Sequence, residues 1–469
     1  MNINDKTNSG STPLHKACQE GHFDTVKLLL DLNGQVLNGL VDTTIKDAKG
    51  WSAVHVACDN GHIEVVKLFF EVGINLNVIS NSGSTPLYLA CKRGHFETAK
   101  YLIELNDQIS NSRVDTRIQI ENKCLHVACM KGHTEIVKLL IDVGTNPNDI
   151  SSSGSTPLHK ACRGGHYDTV KFLLDLNGQE LNSHVDTTIK QRKERSALRI
   201  ACKNGHIEVV KLLIDVGMDI NDTAKNGSTP LHQACQKGHY DTVKFLLDLN
   251  GKVLTVDKTM KDNDGNSVLH VTCLKGMLDV VKLLIDVGIN LNETTNKGST
   301  PLYLACQEGH FETVKYLMCL NGQLLNSRVD TTIKRENGCS ALHIACINGH
   351  IEVVQLLIGA GMYPNDKSDA DNTPLYLACQ NSNDEIVKYL FELNGQTINS
   401  RVDTTITNLK GWSALHSACF NGHAEILKLL IDVGMNINER DNSGKTAVNL
   451  ACINEHSDIV KILKDNGAE

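Results

Sequence analysis

The chain carries little aromatic side-chain mass: Phe, Trp and Tyr together make up 4% of its 469 residues. Small aliphatic side chains and Cys must therefore do most of the packing. No apolar run approaches the roughly 18 residues needed to span a membrane; Phe69-Phe70, for example, is bracketed by Lys67 and Glu71. The opening stretch, Met1 to Gly10, is polar and lacks the apolar core of a secretory signal. The expected compartment is the cytosol or nucleus, not the secretory route. Positive charge is not in excess either. A net charge of −8 and an isoelectric point near 6.2 argue against wholesale binding to nucleic acid or acidic membrane, and leave room for a local basic patch. There is no Gly-rich phosphate loop and no convergent acid–base set, so catalysis has no support.

What the sequence does contain is repetition. A segment close to Thr-Pro-Leu-His-x-Ala-Cys recurs thirteen times, first at Thr12 to Cys18, then from Ser52, Thr85, Lys123, Thr156, Ser196, Thr229, Ser267, Thr300, Ser340, Thr373, Ser413 and Thr446. Successive spacings are 40, 33, 38, 33, 40, 33, 38, 33, 40, 33, 40 and 33 residues. A fixed period in this range marks a stacked-repeat architecture. Units that touch only their neighbours make one array rather than the three globular domains that length alone would suggest. The units fall near 10–39, 50–79, 83–112, 121–150, 154–183, 194–223, 227–256, 265–294, 298–327, 338–367, 371–400, 411–440 and 444–469.

Each unit reads as two short helices. In the first, Thr12 caps a helix whose first residue is Pro13, where a missing N–H costs nothing. Leu14, Ala17 and Cys18 then form one apolar stripe, and Gly21 ends the helix. A second helix begins near Phe23, with Asp24 in its positive first turn and Val26, Leu29 and Leu30 on one face. Helices this short do not persist alone in water, so neighbouring units are a condition of stability.

Between units lies a segment of strand and turn character, such as Gly217 to Asp222 followed by Asn226-Gly227. Gly-Ser-Thr-Pro-Leu-His at 227–232, Gly238-His239, and Gly205 to Leu213 closely resemble the ankyrin repeat family. The resemblance covers essentially the whole chain. It implies an all-α repeat solenoid of stacked helix-turn-helix units with projecting β-hairpin fingers. It also implies a non-enzymatic protein-binding scaffold or adaptor, with partners held along a concave groove. No cofactor or metal is expected.

Cys and His fall into this register. Thirteen of sixteen cysteines share one repeat position, from Cys18 to Cys452. Equivalent sites in stacked helices lie roughly 8–10 Å apart, beyond the Cα separation of about 7 Å that a disulfide tolerates. These thiols are expected to be buried and free. Eight of twenty histidines occupy the Thr-Pro-Leu-His slot and eleven follow the inter-helix Gly or its equivalent, as at His22, His62 and His456; His184 is left over. No closing ligands complete a metal centre around them. The family resemblance implies that the imidazoles hydrogen-bond backbone near the fingers.

The units alternate in kind. Short ones carry Gly-His-Ile-Glu-Val-Val-Lys-Leu-Leu-Ile-Asp-Val-Gly, as at 205–217; long ones carry Leu-Asn-Gly-Gln and Ser-Arg-Val-Asp-Thr-Thr-Ile, as at 309–333. Five to seven extra residues follow the second helix of each long unit, around Asn33 to Leu40. Two readings fit. The helix could continue through them, or the turn dipeptides Asn33-Gly34, Asn177-Gly178, Asn250-Gly251, Asn321-Gly322 and Asn394-Gly395 could end it in a loop leading to a strand at Val41 to Ile45. The dipeptides favour the loop. Six such loops would form a ridge that binds a partner, or they are merely inherited length.

One candidate surface emerges. The residues before the inter-helix Gly supply Lys92, Arg93, Lys131, Arg163, Lys203, Lys237 and Lys275 in repeats three to eight, while flanking repeats carry Gln19-Glu20, Asp59-Asn60, Gln307-Glu308 and Ile347-Asn348. With about 10 Å per unit, these cations form a basic track on the order of 50 Å long, suited to an acidic peptide segment. Cations near a helix C-terminus also favour its dipole without any ligand. Several repeats break pattern: Ser382-Asn383 stands for Gly-His, Arg195 and Arg199 for Gly and His, and Met277 for His. These are expected soft points or neutral drift. Met1 to Asp5 matches Met218 to Asp222, so the chain starts inside a finger, whereas Ile459 to Glu469 looks like a true end. The alternative function is accordingly the targeting arm of a larger protein.

Overall fold

The computed structural model describes residues 3–31, 41–109, 114–178, 184–192, 194–249, 255–320, 328–393 and 401–469. It comprises two compact bodies, Met1–Lys225 and Asn226–Glu469. Among the described residues the first holds twelve α-helices and the second fourteen. In both, the helices come as antiparallel pairs whose first members pack against the first members of the adjoining pairs. This is an all-helical repeat solenoid.

The local rules of the sequence account for each pair. Thr12 is extended (φ −90°, ψ 169°) and its hydroxyl accepts from the His15 amide, while Pro13 begins the helix Pro13–Glu20. Gly21 closes it in the left-handed region at φ 71°. The partner helix of a short repeat, Ile207–Asp215, buries Val209, Val210, Leu213 and Ile214. It ends in a Schellman arrangement: the Gly217 amide donates to the Ile214 carbonyl and the Met218 amide to that of Leu213. Cys18, Cys58, Cys129 and Cys202 sit at the centre of the first body with no exposed surface. Burial pushes their thiols well above the ordinary cysteine range. In the last repeat Cys452 is exposed, contrary to the expectation for its position.

The fingers differ from the expected β-hairpins. Among the described residues there is no strand, and the one β-bridge joins Gln191 to Arg195. Each finger is a tight turn instead, as where the Gly10 amide donates to Thr7 O (2.8 Å) and the Thr7 amide to Ser11 O (3.0 Å). Neighbouring fingers are joined by one backbone bond, such as Ala48 N–H to Ser9 O at 3.0 Å or Asn296 N–H to Asp264 O at 3.0 Å. A ladder needs repeated pairing along extended chain, and the finger is too short to provide it. Val41 to Ile45 is likewise a turn rather than a strand.

The inserted segments of the long repeats fall mostly outside the described residues, at 32–40, 110–113, 179–183, 250–254, 321–327 and 394–400. The third repeat nevertheless departs from the expected loop. Its second helix runs from Phe96 to Ile109, and the next helix spans Val114–Lys131. Sequence explains both extensions. Asn106-Asp107 replaces the Asn-Gly turn, so nothing terminates the first helix. Lys123 replaces the capping Ser or Thr, and 11 residues separate Val114 from Leu125 where 13 separate Val41 from Val54. The finger turn is lost, and the helix extends back in its place.

Candidate interaction surface

Each candidate cation lies in the last turn of a first helix. Lys92 and Arg93 end Pro86–Arg93, Lys131 ends Val114–Lys131, Arg163 lies near the end of Pro157–Gly164, and Lys203 near that of Ala197–Asn204. In the second body, Lys237 ends Pro230–Lys237 and Lys275 ends Val268–Lys275. Lys92, Arg93, Lys131, Lys237 and Lys275 are exposed, while Arg163 and Lys203 are half-buried. The structure separates one of them from the rest. Arg93 makes a two-pronged pair with Asp59 of the preceding repeat, Nε and one terminal nitrogen each 2.9 Å from a carboxylate oxygen. Lys92, Lys131, Arg163, Lys237 and Lys275 pair with no carboxylate among the described residues.

At four of these helix ends a carbonyl is already satisfied by an imidazole. His133 donates from Nε2 to Lys92 O (3.2 Å), His166 to Met130 O (2.9 Å), His206 to Arg163 O (3.1 Å) and His310 to Leu274 O (3.1 Å). These imidazoles of the inter-helix position thus cap the first helix of the repeat before them. Where Asn383 replaces this His, its side-chain amide takes over, donating to Cys346 O at 2.7 Å and Ile347 O at 3.0 Å. The cations are therefore not needed to close the helices, although the dipole still favours them.

The second histidine series links fingers. The Thr12 amide and hydroxyl both meet His15 Nδ1, at 3.3 and 2.9 Å, which leaves the proton on Nε2 to be donated to Trp51 O at 3.0 Å. His55, His126, His159, His270 and His343 reach the next finger in the same way. Burial lowers the pKa of His15, His55 and His343, and takes His159 and His270 down to about 4. In repeat six the slot holds Arg199, which is buried, donates to Glu194 O at 3.1 Å, and has its pKa lowered to about 10 by burial. The left-handed finger residue there is Glu194 (φ 57°), not Arg195; Asp371 (φ 60°) holds that place in repeat eleven.

A further repeated contact escaped the sequence reading. The Asp of Val-Asp-Thr-Thr folds back on the Thr two residues on, as where Asp186 accepts from the Thr188 amide (2.8 Å) and hydroxyl (2.6 Å). An Asn from the preceding short repeat then holds the backbone on both sides of the Val. Asn148 and Asn365 do so in the first and second bodies. Its signal was the Asn four residues after the Gly that closes the second helix of a short repeat, as Asn148 follows Gly144 and Asn365 follows Gly361, which no helix or capping rule picks out.

Among the described residues no helix is long and apolar enough to cross a membrane. What the two bodies define is a class: repeated helix pairs joined by interlocking imidazole and turn contacts, with side chains on the helix ends open to a partner. Profiles described as ankyrin repeats in three copies match residues 33–113, 108–185, 178–257, 250–327, 319–402 and 396–469, and one described as ankyrin repeats in many copies matches 1–57. The chain belongs to the ankyrin repeat family, whose repeats form protein–protein interaction modules.

Similar proteins include alpha-latroinsectotoxin-Lt1a of Latrodectus tredecimguttatus, 34% identical over 84 residues, covering 18% of this chain and 6% of the toxin. A putative ankyrin repeat protein of Rickettsia felis is 37% identical over 78 residues, or 17% of this chain and 24% of that protein. Human transient receptor potential cation channel subfamily A member 1 is 25% identical over 153 residues, 31% of this chain and 12% of the channel. The matched segments thus span under a quarter of the length of these relatives. The crystal structure of the human ASB11 ankyrin repeat domain aligns with TM-score 0.41 and 24% identity, over 48% of this chain and 92% of that one.

Proposed function

We propose that this chain is a non-enzymatic scaffold or adaptor of the cytosol or nucleus, its repeats binding an acidic peptide segment along the basic helix ends of each body. In the first body the contacts are Lys92, Lys131, Arg163 and Lys203, with Arg93 contributing through its pair with Asp59; in the second they are Lys237 and Lys275. One observation carries this reading. Beside Lys92, Lys131, Arg163 and Lys275 the helix-end carbonyls are closed by imidazoles of the next repeat, so positive charge at these four ends answers no need of the helices' hydrogen bonding. Several of these cations are exposed and have no carboxylate partner among the described residues. An acidic partner supplies one.

The test reverses Lys131, Arg163, Lys203 and Lys237 to Glu together and compares captured partners at low and moderate salt. Loss of partners that also dissociate from the unaltered chain as salt rises supports the reading, since exposed charge pairs are screened. An unchanged set of partners at both salt levels removes it. The second reading, a targeting arm within a longer protein, is favoured by the much greater length of the relatives that match. Sequencing the transcript upstream of Met1 separates the two.

A further inference from the structure

A repeat array carries its own reference for every position, and one corner of the first body departs from it in charge. At the residue after the His slot, Leu89, Val127 and Ile200 are 2 to 9% exposed, whereas repeat five places a half-buried Lys160 there. Apart from Lys16 in the first repeat, no other repeat puts a charge at this position. The finger at 190–195 departs as well. Arg192 stands where other fingers carry Asn81, Asn263 and Asn296, and Arg195 where they carry Ser84, Ser155 and Ser228.

These departures converge. His159 Nε2 donates to Arg195 O at 3.2 Å, which fixes the base of that finger on the helix Pro157–Gly164, carrying Lys160 and, one turn on, Arg163. Arg192 lies against the preceding finger, where a Cβ on Gly154 would stand 3.1 Å from Arg192 Cγ. In repeat twelve the counterpart of Arg195 is Trp412, whose ring centroid is 5.0 Å from that of Phe420. Phe420 aligns with Lys203 and, one repeat earlier, Arg163. A side chain at this place in a finger thus turns toward the helix-end cations.

The positive charge gathered here is not offset from within. Lys160, Arg163, Arg192 and Arg195 pair with no carboxylate among the described residues, and Asp222, which reaches this finger from the next repeat, is taken by Lys190. Burial, with the Arg163 cation beside it, holds the Lys160 ammonium below the usual lysine range. Like charges so placed repel, and a dianion relieves them more than a carboxylate does. Guanidinium groups also present paired donors that match phosphate oxygens. Glu194 and Asp222 limit the positive field to this corner, and the whole chain is acidic at −8. The fit is to one phosphate, not to a polyanion or an anionic membrane.

We propose that this corner receives a single phosphate monoester carried on a Ser or Thr of a partner protein's segment. Arg192 and Arg195 take its oxygens from the finger, and Lys160 and Arg163 from the first helix of repeat five. The proposal deepens the acidic-segment reading of the first body and rests on it through Arg163.

The test presents the full chain with bead-bound degenerate peptides centred on phosphoserine or phosphothreonine, and with the same peptides unphosphorylated or centred on Glu. The expected result is at least tenfold more retention on the phosphorylated set than on either control. Lys160→Leu, Arg192→Asn and Arg195→Ser together restore residues that other repeats use. Circular dichroism should therefore show an unchanged fold, while phosphate-dependent retention falls at least tenfold. Arg192→Asn alone, at an exposed side chain, should lower it at least threefold. Equal retention on the phosphorylated and Glu-centred sets overturns the proposal and leaves the acidic-segment reading standing. Retention that the substitutions do not change also overturns it. So does stronger retention on phosphatidylcholine vesicles containing phosphatidylinositol bisphosphate, which would assign the corner to a membrane.

Discussion

His206 donates from Nε2 to the Arg163 carbonyl at 3.1 Å, and its ring stands where a Cβ on Gly165 would lie, 2.4 Å from Nδ1. The Gly is thus required twice: by its left-handed backbone at φ 76° and by the imidazole of the next repeat. The same relation joins Gly21 to His62. Repeat and neighbour are specified together, which is why the Gly-His dipeptide recurs as a unit although its two halves act at different interfaces.

Gly165→Ala should therefore destabilise the first body by more than the 1–2 kcal/mol that left-handed backbone alone costs an Ala. In a His206→Ala background the clash is gone, and the cost of Gly165→Ala should fall back to that backbone cost of roughly 1–2 kcal/mol. Urea denaturation of the four proteins closes the cycle. Additive effects would show that the ring and the Gly do not compete for space.

Acid should loosen both bodies before the carboxylates titrate. His159 and His270 are held neutral by burial, with Nε2–H donated to Arg195 O and Ser299 O and Nδ1 accepting from the cap. Their folded pKa of about 4 lies below the unfolded value of 6.5. Between those values the unfolded chain binds a proton that the folded chain does not, so stability rises with pH across that window. It is fully present above about pH 6.5 and is lost as pH falls toward 4, on the order of 3 kcal/mol for each of the two. His15, His55, His343 and His416, shifted down by burial as well, add to the loss. Thermal melts at pH 7 and pH 5 test this; equal midpoints would contradict it, and His159→Gln with His270→Gln should flatten the dependence.

The sequence made the helices and their caps legible because each follows from local rules: a β-region Thr, a Pro at the first helical position, a Gly at the end. The periodicity also placed Cys18 and its counterparts up to Cys419 in the core, and misjudged Cys452. What it misjudged depends on relations between repeats. The fingers were expected to pair as strands, yet a four-residue turn such as Thr7 to Gly10 can offer its neighbour only a single bond. Glu194 and Asp371 occupy left-handed positions that composition would reserve for Gly, and counting back from the capping Ser196 and Thr373 identifies them. The helix beginning at Val114 was readable in principle, from the missing Gly after Asn106 and the missing cap at Lys123. The cations lie in the last turns of the first helices, where the repeat pattern put them, but the pairing of Arg93 with Asp59 required three dimensions.

The asparagine clamp gives a last contrast between two chemically identical residues. Asn365 is 7% exposed and joins two backbone groups of the following repeat, Arg401 O and the Asp403 amide. Asn365→Ala removes both bonds and leaves those groups to find water at a largely buried site, a loss of about 1–3 kcal/mol. Asn77 is exposed and grips no such segment among the described residues, so Asn77→Ala should stay within about 0.5 kcal/mol of the unaltered chain. Hydrogen exchange on the two variants localises the effect: amides around Val402 to Thr405 should lose protection with Asn365→Ala, while the third repeat should be unchanged by Asn77→Ala. Equal losses from both substitutions would mean that Asn77 holds part of the chain as Asn365 does.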